Sequence, residues 1–163
     1  VFLQHYRGYG GSTGEPSEMV LHADAQAVYD LVQSRYENIV VIGRSLGSGV
    51  AIRLAANNPV SHLVLLTPYD SILNVGKELF PFVPMKLLLV DEFQSVRYAP
   101  EIEIPTLIIK AENDRVVPHH LTDALIEEFI PGVVSTVTIE GAEHNSIWGF
   151  EDTYRYMTDF LGE

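Results

Sequence analysis

The sequence contains no cysteine. That absence excludes disulfides, thiolate nucleophiles and thiolate metal sites together. It leaves the compartment open, because a disulfide-free domain suits any of them. Basic residues are also scarce: ten Lys and Arg stand against 22 Asp and Glu, a formal charge of −12. Such a surface repels phosphate backbones, which argues against a nucleic-acid partner, and it disfavours anionic membranes on average. Long apolar runs are missing as well. Residues 39–42 and 63–66 are far too short to cross a bilayer and read as buried strands. No basic leader precedes Val1, so a processed or truncated start is expected. Any targeting or anchor segment would then lie upstream, and the cytoplasm is the first expectation for location.

What is present fits one domain, residues 1–163, with a single sizeable core: 163 residues, 47% hydrophobic and 20% charged. No repeat or low-complexity tract stands out. Short apolar runs alternate with turns and amphipathic stretches, the pattern of βαβ units and a mostly parallel sheet between helical layers. Strands are expected at residues 1–6, 39–43, 62–67, 106–111 and 133–140. Helices are expected at 17–36, 45–57, 121–129 and 151–161. In the first helix Leu21, Val28, Leu31 and Val32 suggest the apolar face. Residues 69–100 break the alternation. They carry Phe80, Phe82, Leu87, Leu88 and Phe93 with Pro81 and Pro84 among them. A small helical cap over a site is the preferred reading, an ordinary crossover helix the alternative.

The decisive chemistry lies at Gly43-Arg44-Ser45-Leu46-Gly47, a G-x-S-x-G between an apolar strand and a helix. A nucleophile there must stand clear of the backbone on a tight, strained turn. Side chains two residues to either side would collide with strand and helix, hence the glycines. Ser45 would sit at a helix N-terminus, where the backbone N–H of Leu46 can serve an oxyanion. The plainer reading is an N-cap serine.

A serine needs a base, and the base an orienting carboxylate. Of the six histidines, His144 lies in a turn directly after the last strand. His5 ends the first strand but precedes the serine. His22, His119 and His120 are expected to be solvated or to cap helices. Two acids follow strands, Asp114 and Asp70. Sites in open parallel sheets form at the strands' carboxyl ends. Asp114 is preferred because it falls between serine and histidine, the chain order that folds with this elbow use.

Four segments resemble the α/β-hydrolase superfamily, in particular its compact serine aminopeptidase-like and alpha/beta-hydrolase-domain members. His5-Tyr6-Arg7-Gly8-Tyr9-Gly10-Gly11-Ser12-Thr13-Gly14 is similar to the loop after that family's fourth strand. Gly43 to Gly47 matches its elbow, Glu112-Asn113-Asp114-Arg115-Val116-Val117-Pro118 resembles its acid loop, and Gly141-Ala142-Glu143-His144-Asn145 its histidine loop. The likeness runs from end to end and implies a three-layer α/β/α sandwich. Two departures stand out. His5 occupies a position where the family commonly has aspartate. The strands before the fourth are absent, including the third, whose following loop often begins His-Gly and donates the second oxyanion N–H; no His-Gly occurs here.

The resemblance implies a serine hydrolase with Ser45 as nucleophile, Asp114 as acid, His144 as base and Leu46 N–H in the oxyanion hole. No metal or cofactor is implied. An ester or thioester of a small to medium apolar acyl group is the expected small-molecule substrate. An aminopeptidase-like amide hydrolase is the rival, with Asp91 and Glu92 to hold a substrate amine. A third expectation is a truncated or non-catalytic module of the same fold.

Overall fold

The computed structural model describes residues 1–162. Helix α1 (Glu18–Gln33) leads to β1 (Val40–Arg44), α2 (Leu46–Asn57) and β2 (His62–Leu66). Two short helices follow, α3 (Ile72–Leu79) and α4 (Met85–Leu88). The chain then runs through β3 (Thr106–Ala111), α5 (His119–Glu127), β4 (Val134–Ile139) and α6 (Glu151–Leu161). All four strands are parallel and pair in chain order, β1-β2-β3-β4.

Both faces of the central strands β2 and β3 are buried, which explains why they read as apolar runs without polar alternation. Leu63, Leu65 and Ile108 point to one face, where they meet Ala51 and Ile52 of α2, and Leu125 and Phe129 from α5 and its end. Val64, Leu66, Leu107 and Ile109 point to the other, towards Tyr156, Met157 and Phe160 of α6. Helices on either side of a parallel sheet make the three-layer α/β/α sandwich anticipated from the sequence.

Helix α1 begins where expected. Ser17 is its N-cap, its hydroxyl accepting from Val20 N at 3.4 Å. The buried stripe is Leu21, Ala25 and Tyr29, spaced by four. Leu31 is exposed. It lies well round the helix from Leu21, so the predicted face was drawn too wide. Tyr29 locks α1 to the loop between α2 and β2 by donating to Pro59 O at 2.7 Å.

Residues 1–6 do not form the expected strand. A strand needs a neighbour's backbone at ladder distance, and the described sheet stops at β1. The segment instead runs beside α1: Phe2 packs edge-on to Tyr36, and Tyr6 joins the cluster around Leu21, Val50 and Tyr69. On β1, Val40 and Ile42 are consequently exposed, whereas Val41 packs against the core.

Between β2 and β3 the chain forms α3, α4 and two 3₁₀ turns, Ser95–Arg97 and Ala99–Glu101. Its roots are tied to the body. Val96 N donates to Asp70 O at 3.2 Å, and Phe93 N donates to Glu18 Oε2 at 3.0 Å. No described helix is long and apolar enough to cross a membrane.

Gly49 sets how closely α2 approaches the end of β2. A Cβ there would lie 2.5 Å from Tyr69 Oη, itself donating to Leu46 O at 3.2 Å. We expect Gly49→Ala to destabilise the fold by about 1–3 kcal/mol through overpacking, read as the shift in urea midpoint.

Candidate active site

The turn from β1 into α2 carries Ser45 at φ 49° and ψ −123°, a strained conformation for a residue with a Cβ. Backbone bonds hold it there. Ser45 N donates to Leu66 O at 3.0 Å, and Ser45 O accepts from Ser48 N at 2.8 Å and Ser48 Oγ at 2.7 Å. The glycine before Ser45 is sterically required. A Cβ at Gly43 would stand 2.5 Å from Gly47 O and 2.6 Å from Ala51 Cβ. One at Gly47 would meet Tyr6 Oη at 3.2 Å. Ser45 occupies the N-cap position of α2, yet its side chain caps no N–H. The hydroxyl turns instead to His144.

Ser45 Oγ lies 2.8 Å from His144 Nε2, and His144 Nδ1 lies 2.8 Å from Asp114 Oδ2. The structure thus brings together three residues separated by 30 and 99 positions in the chain. His144 and Asp114 side chains are both almost fully buried, 7% and 3% exposed. Burial opposes the charge on Asp114. The bond from His144 and the N–H groups of Val117 and Val116 outweigh it, and the carboxyl is held below its ordinary value. Those N–H groups reach Asp114 Oδ1 at 2.8 and 2.9 Å. The carboxylate therefore has both oxygens satisfied, one on the backbone and one on the imidazole. Such an array can move a proton from hydroxyl to imidazole while the carboxylate stabilises the cation formed.

Leu46 N–H is at the free N-terminus of α2, where first-turn donors lack intrahelical acceptors. Asp70, the other candidate acid, is used differently. It is buried, its Oδ1 accepting from Ser71 N and its Oδ2 from Asn74 Nδ2, each at 2.5 Å. That locks the start of α3. Glu92 lines a cleft with Glu18, Gln94, Arg97 and Tyr98, whose walls include neither Ser45 nor Asp91.

Several neighbours escaped sequence reasoning. Arg44 Nη2 donates to His144 O at 2.8 Å and to Asn145 Oδ1 at 2.9 Å, so the variable residue before Ser45 clamps the histidine loop. The acid and histidine loops are joined to each other: Asn113 N donates to Ala142 O, and Gly141 N to Glu112 Oε2, both at 2.8 Å. His119, expected to be solvated or capping, has a ring nitrogen 2.8 Å from Ala111 O at the base of the acid loop. His22 was expected on a solvated face. Its side chain is only 8% exposed and packs against Phe93, and burial, with Arg53 nearby, pushes its pKa down. Helix periodicity alone gave no sign of Phe93, which arrives from the segment after β2.

No family model matches the chain. It is 37% identical over 130 residues to an uncharacterized Mycobacterium tuberculosis protein, a match covering 77% of this chain and 46% of that one. It is 34% identical over 165 residues to the alpha/beta hydrolase domain-containing protein 17C of Xenopus tropicalis, covering 99% of this chain and 52% of the relative. Among solved structures, a Paleococcus ferrophilus monoacylglycerol lipase superposes with a TM-score of 0.70 at 16% identity, covering 96% of this chain and 81% of the lipase. The chain belongs to the α/β-hydrolase superfamily, and it spans about half the length of the curated relatives it matches.

Two outcomes are expected. Arg44→Met should cost about 1–3 kcal/mol, since it deletes charge-assisted bonds to the histidine loop; urea unfolding and amide exchange at residues 144–146 would read it. Asp114 titrates lower folded than unfolded, so its contribution is complete above the unfolded value of ~3.9 and lost as pH falls through the folded one. Asp114→Asn should therefore flatten the acid limb of a stability–pH curve below about pH 4.

Proposed function

We propose that this chain is a serine hydrolase acting on esters or thioesters of small to medium apolar acyl groups. The observation that carries the reading is the unbroken relay from Ser45 Oγ through His144 to Asp114, both links 2.8 Å. In the proposed reaction Ser45 Oγ bonds to the acyl carbon as its proton passes to His144 Nε2. The carbonyl π electrons move onto oxygen, which accepts from Leu46 N–H. His144 then protonates the departing alcohol or thiol as its bond to carbon breaks. Water, deprotonated by His144, attacks the acyl-enzyme; the acid leaves and Ser45 is restored. Asp114 Oδ2 accepts from Nδ1 throughout and stabilises the imidazolium. No metal or cofactor enters these steps.

The preference for apolar acyl groups rests on residues 69–100, read as a small cap. That segment leaves the carboxyl end of β2, the sheet edge that bears Ser45.

A second reading is a non-catalytic module of the same fold. On the described residues the oxyanion side of the site rests on one donor, Leu46 N–H, at the start of α2. An oxyanion donor is worth ~10²–10³ in turnover, so a site with Leu46 N–H alone would be slowed without being silenced.

Fluorophosphonate labelling read by intact mass discriminates the two. The expected outcome is one adduct, absent in Ser45→Ala, and formed about 10³–10⁴-fold more slowly in Asp114→Asn because the imidazole loses its tautomer. Folded protein that takes no label would reject the hydrolase and leave the module.

A further inference from the structure

The α3–α4 hairpin exposes apolar surface that no described part of the chain covers. Phe82, Leu87 and Val90 are 98%, 83% and 92% exposed, and Phe80 and Leu88 are exposed beside them. This is a built feature. Met85 of α4 packs against Gly76 of α3, where an added Cβ would come within 2.7 Å of its methyl. The turn between is stitched by Val83 N to Phe80 O at 3.0 Å and Leu87 N to Pro84 O at 2.9 Å. The hairpin holds its large apolar side chains outward, and contiguous exposure of this kind marks an interaction surface.

Charge says which partner fits. Residues 71–90 contain only Lys77, Lys86 and Glu78 as charged groups, net +1 in a chain of −12. Three cations elsewhere are matched by acids: Arg7 to Asp24 and Lys110 to Asp123, each at 2.7 Å, and Arg155 to Asp152 at 3.0 Å. Both hairpin lysines are exposed. Lys77 Nζ donates to the neutral Asn74 Oδ1 at 3.0 Å, and no described carboxylate pairs with either lysine. Glu78, the lone acid, has His120 3.2 Å away. An apolar tip flanked by free ammonium groups suits an anionic lipid surface, where rings and aliphatic groups enter the headgroup–acyl boundary and lysines stay among phosphates. The acidic remainder is repelled by the same surface, so only the hairpin can approach it.

We propose that residues 77–90 dock this protein on anionic bilayers. Because α3 leaves the carboxyl end of β2, docking there turns the sheet edge bearing Ser45 towards the lipid. The proposal concerns binding and stands whether or not Ser45 is reactive. A second copy of the chain is the competing occupant, opposed by self-repulsion between two molecules of this charge.

The test is vesicle flotation with the full chain carrying Ser45→Ala, so that lipid turnover cannot intervene. Vesicles of phosphatidylcholine alone are compared with vesicles that also contain phosphatidylserine. Expected are binding to the anionic vesicles, weaker binding to the neutral ones, and loss on raising salt. Phe82→Ser with Leu87→Ser should weaken binding by about tenfold or more, the loss from withholding two side chains from an apolar phase. Lys77→Glu with Lys86→Glu should abolish the preference for phosphatidylserine. All four positions are exposed, and unchanged circular dichroism and urea midpoints would verify folding. Absence of binding by folded protein, or undiminished binding by the Phe82/Leu87 variant, would overturn the proposal. A dimer in light scattering that the Phe82/Leu87 variant breaks, without vesicle binding, would overturn it in favour of the second copy.

Discussion

The bond from Ser45 N to Leu66 O extends the β1–β2 ladder one residue beyond the strand, and the site is arranged around it. It holds the chain in register while the backbone reverses into α2. Ser45 has no relaxed conformation that satisfies both, so it sits at positive φ, at a cost of order 1–3 kcal/mol. The surrounding packing offsets that cost. Gly43 lets the first turn of α2 close over the strand, and Gly49 lets the same helix sink onto Tyr69. The strain thus depends on a sheet buried on both faces, with Leu63, Leu65 and Ile108 on one side and Val64, Leu66 and Ile109 on the other.

Sequence was informative where a constraint is local. The elbow could be read because its tightest conflict, Gly43 against Gly47 O, lies within five residues. The strand runs 62–67 and 106–111 could be read because burial on both faces leaves continuous apolar stretches. Asp114 and His144 could be chosen because each follows such a run, and chain order separated them from Asp70 and His5. Where the constraint is non-local the reading failed. Residues 1–6 have a strand's composition but no described ladder partner. Leu31 has the right chemistry on the wrong side of its helix. His22 looked solvated because its cover, Phe93, lies far along the chain. Arg44 stands at a position any side chain could fill, so its reach to the histidine loop was not legible.

Electrostatics divides the molecule in two. The Ser45–His144–Asp114 array is fully paired, and its one formal charge is dispersed over two backbone N–H groups and an imidazole. The hairpin after β2 is the reverse, with free cations and bare hydrocarbon on an otherwise acidic body. A single number for net charge averages these away. The average therefore describes encounters with the whole protein, while each local surface follows its own chemistry.

The paired acid and histidine loops have a consequence for motion. Asn113 to Ala142 and Gly141 to Glu112 make them one piece, resting on β3 and β4. Thermal breathing cannot easily change the spacing between Asp114 and His144, because both ride on that piece. Ser45 rides on another, the turn from β1 into α2. The soft coordinate of the array is thus the gap between hydroxyl and imidazole. The only described side chain bridging the pieces beside it is Arg44, whose guanidinium acts as the tie rod that sets how far this gap opens.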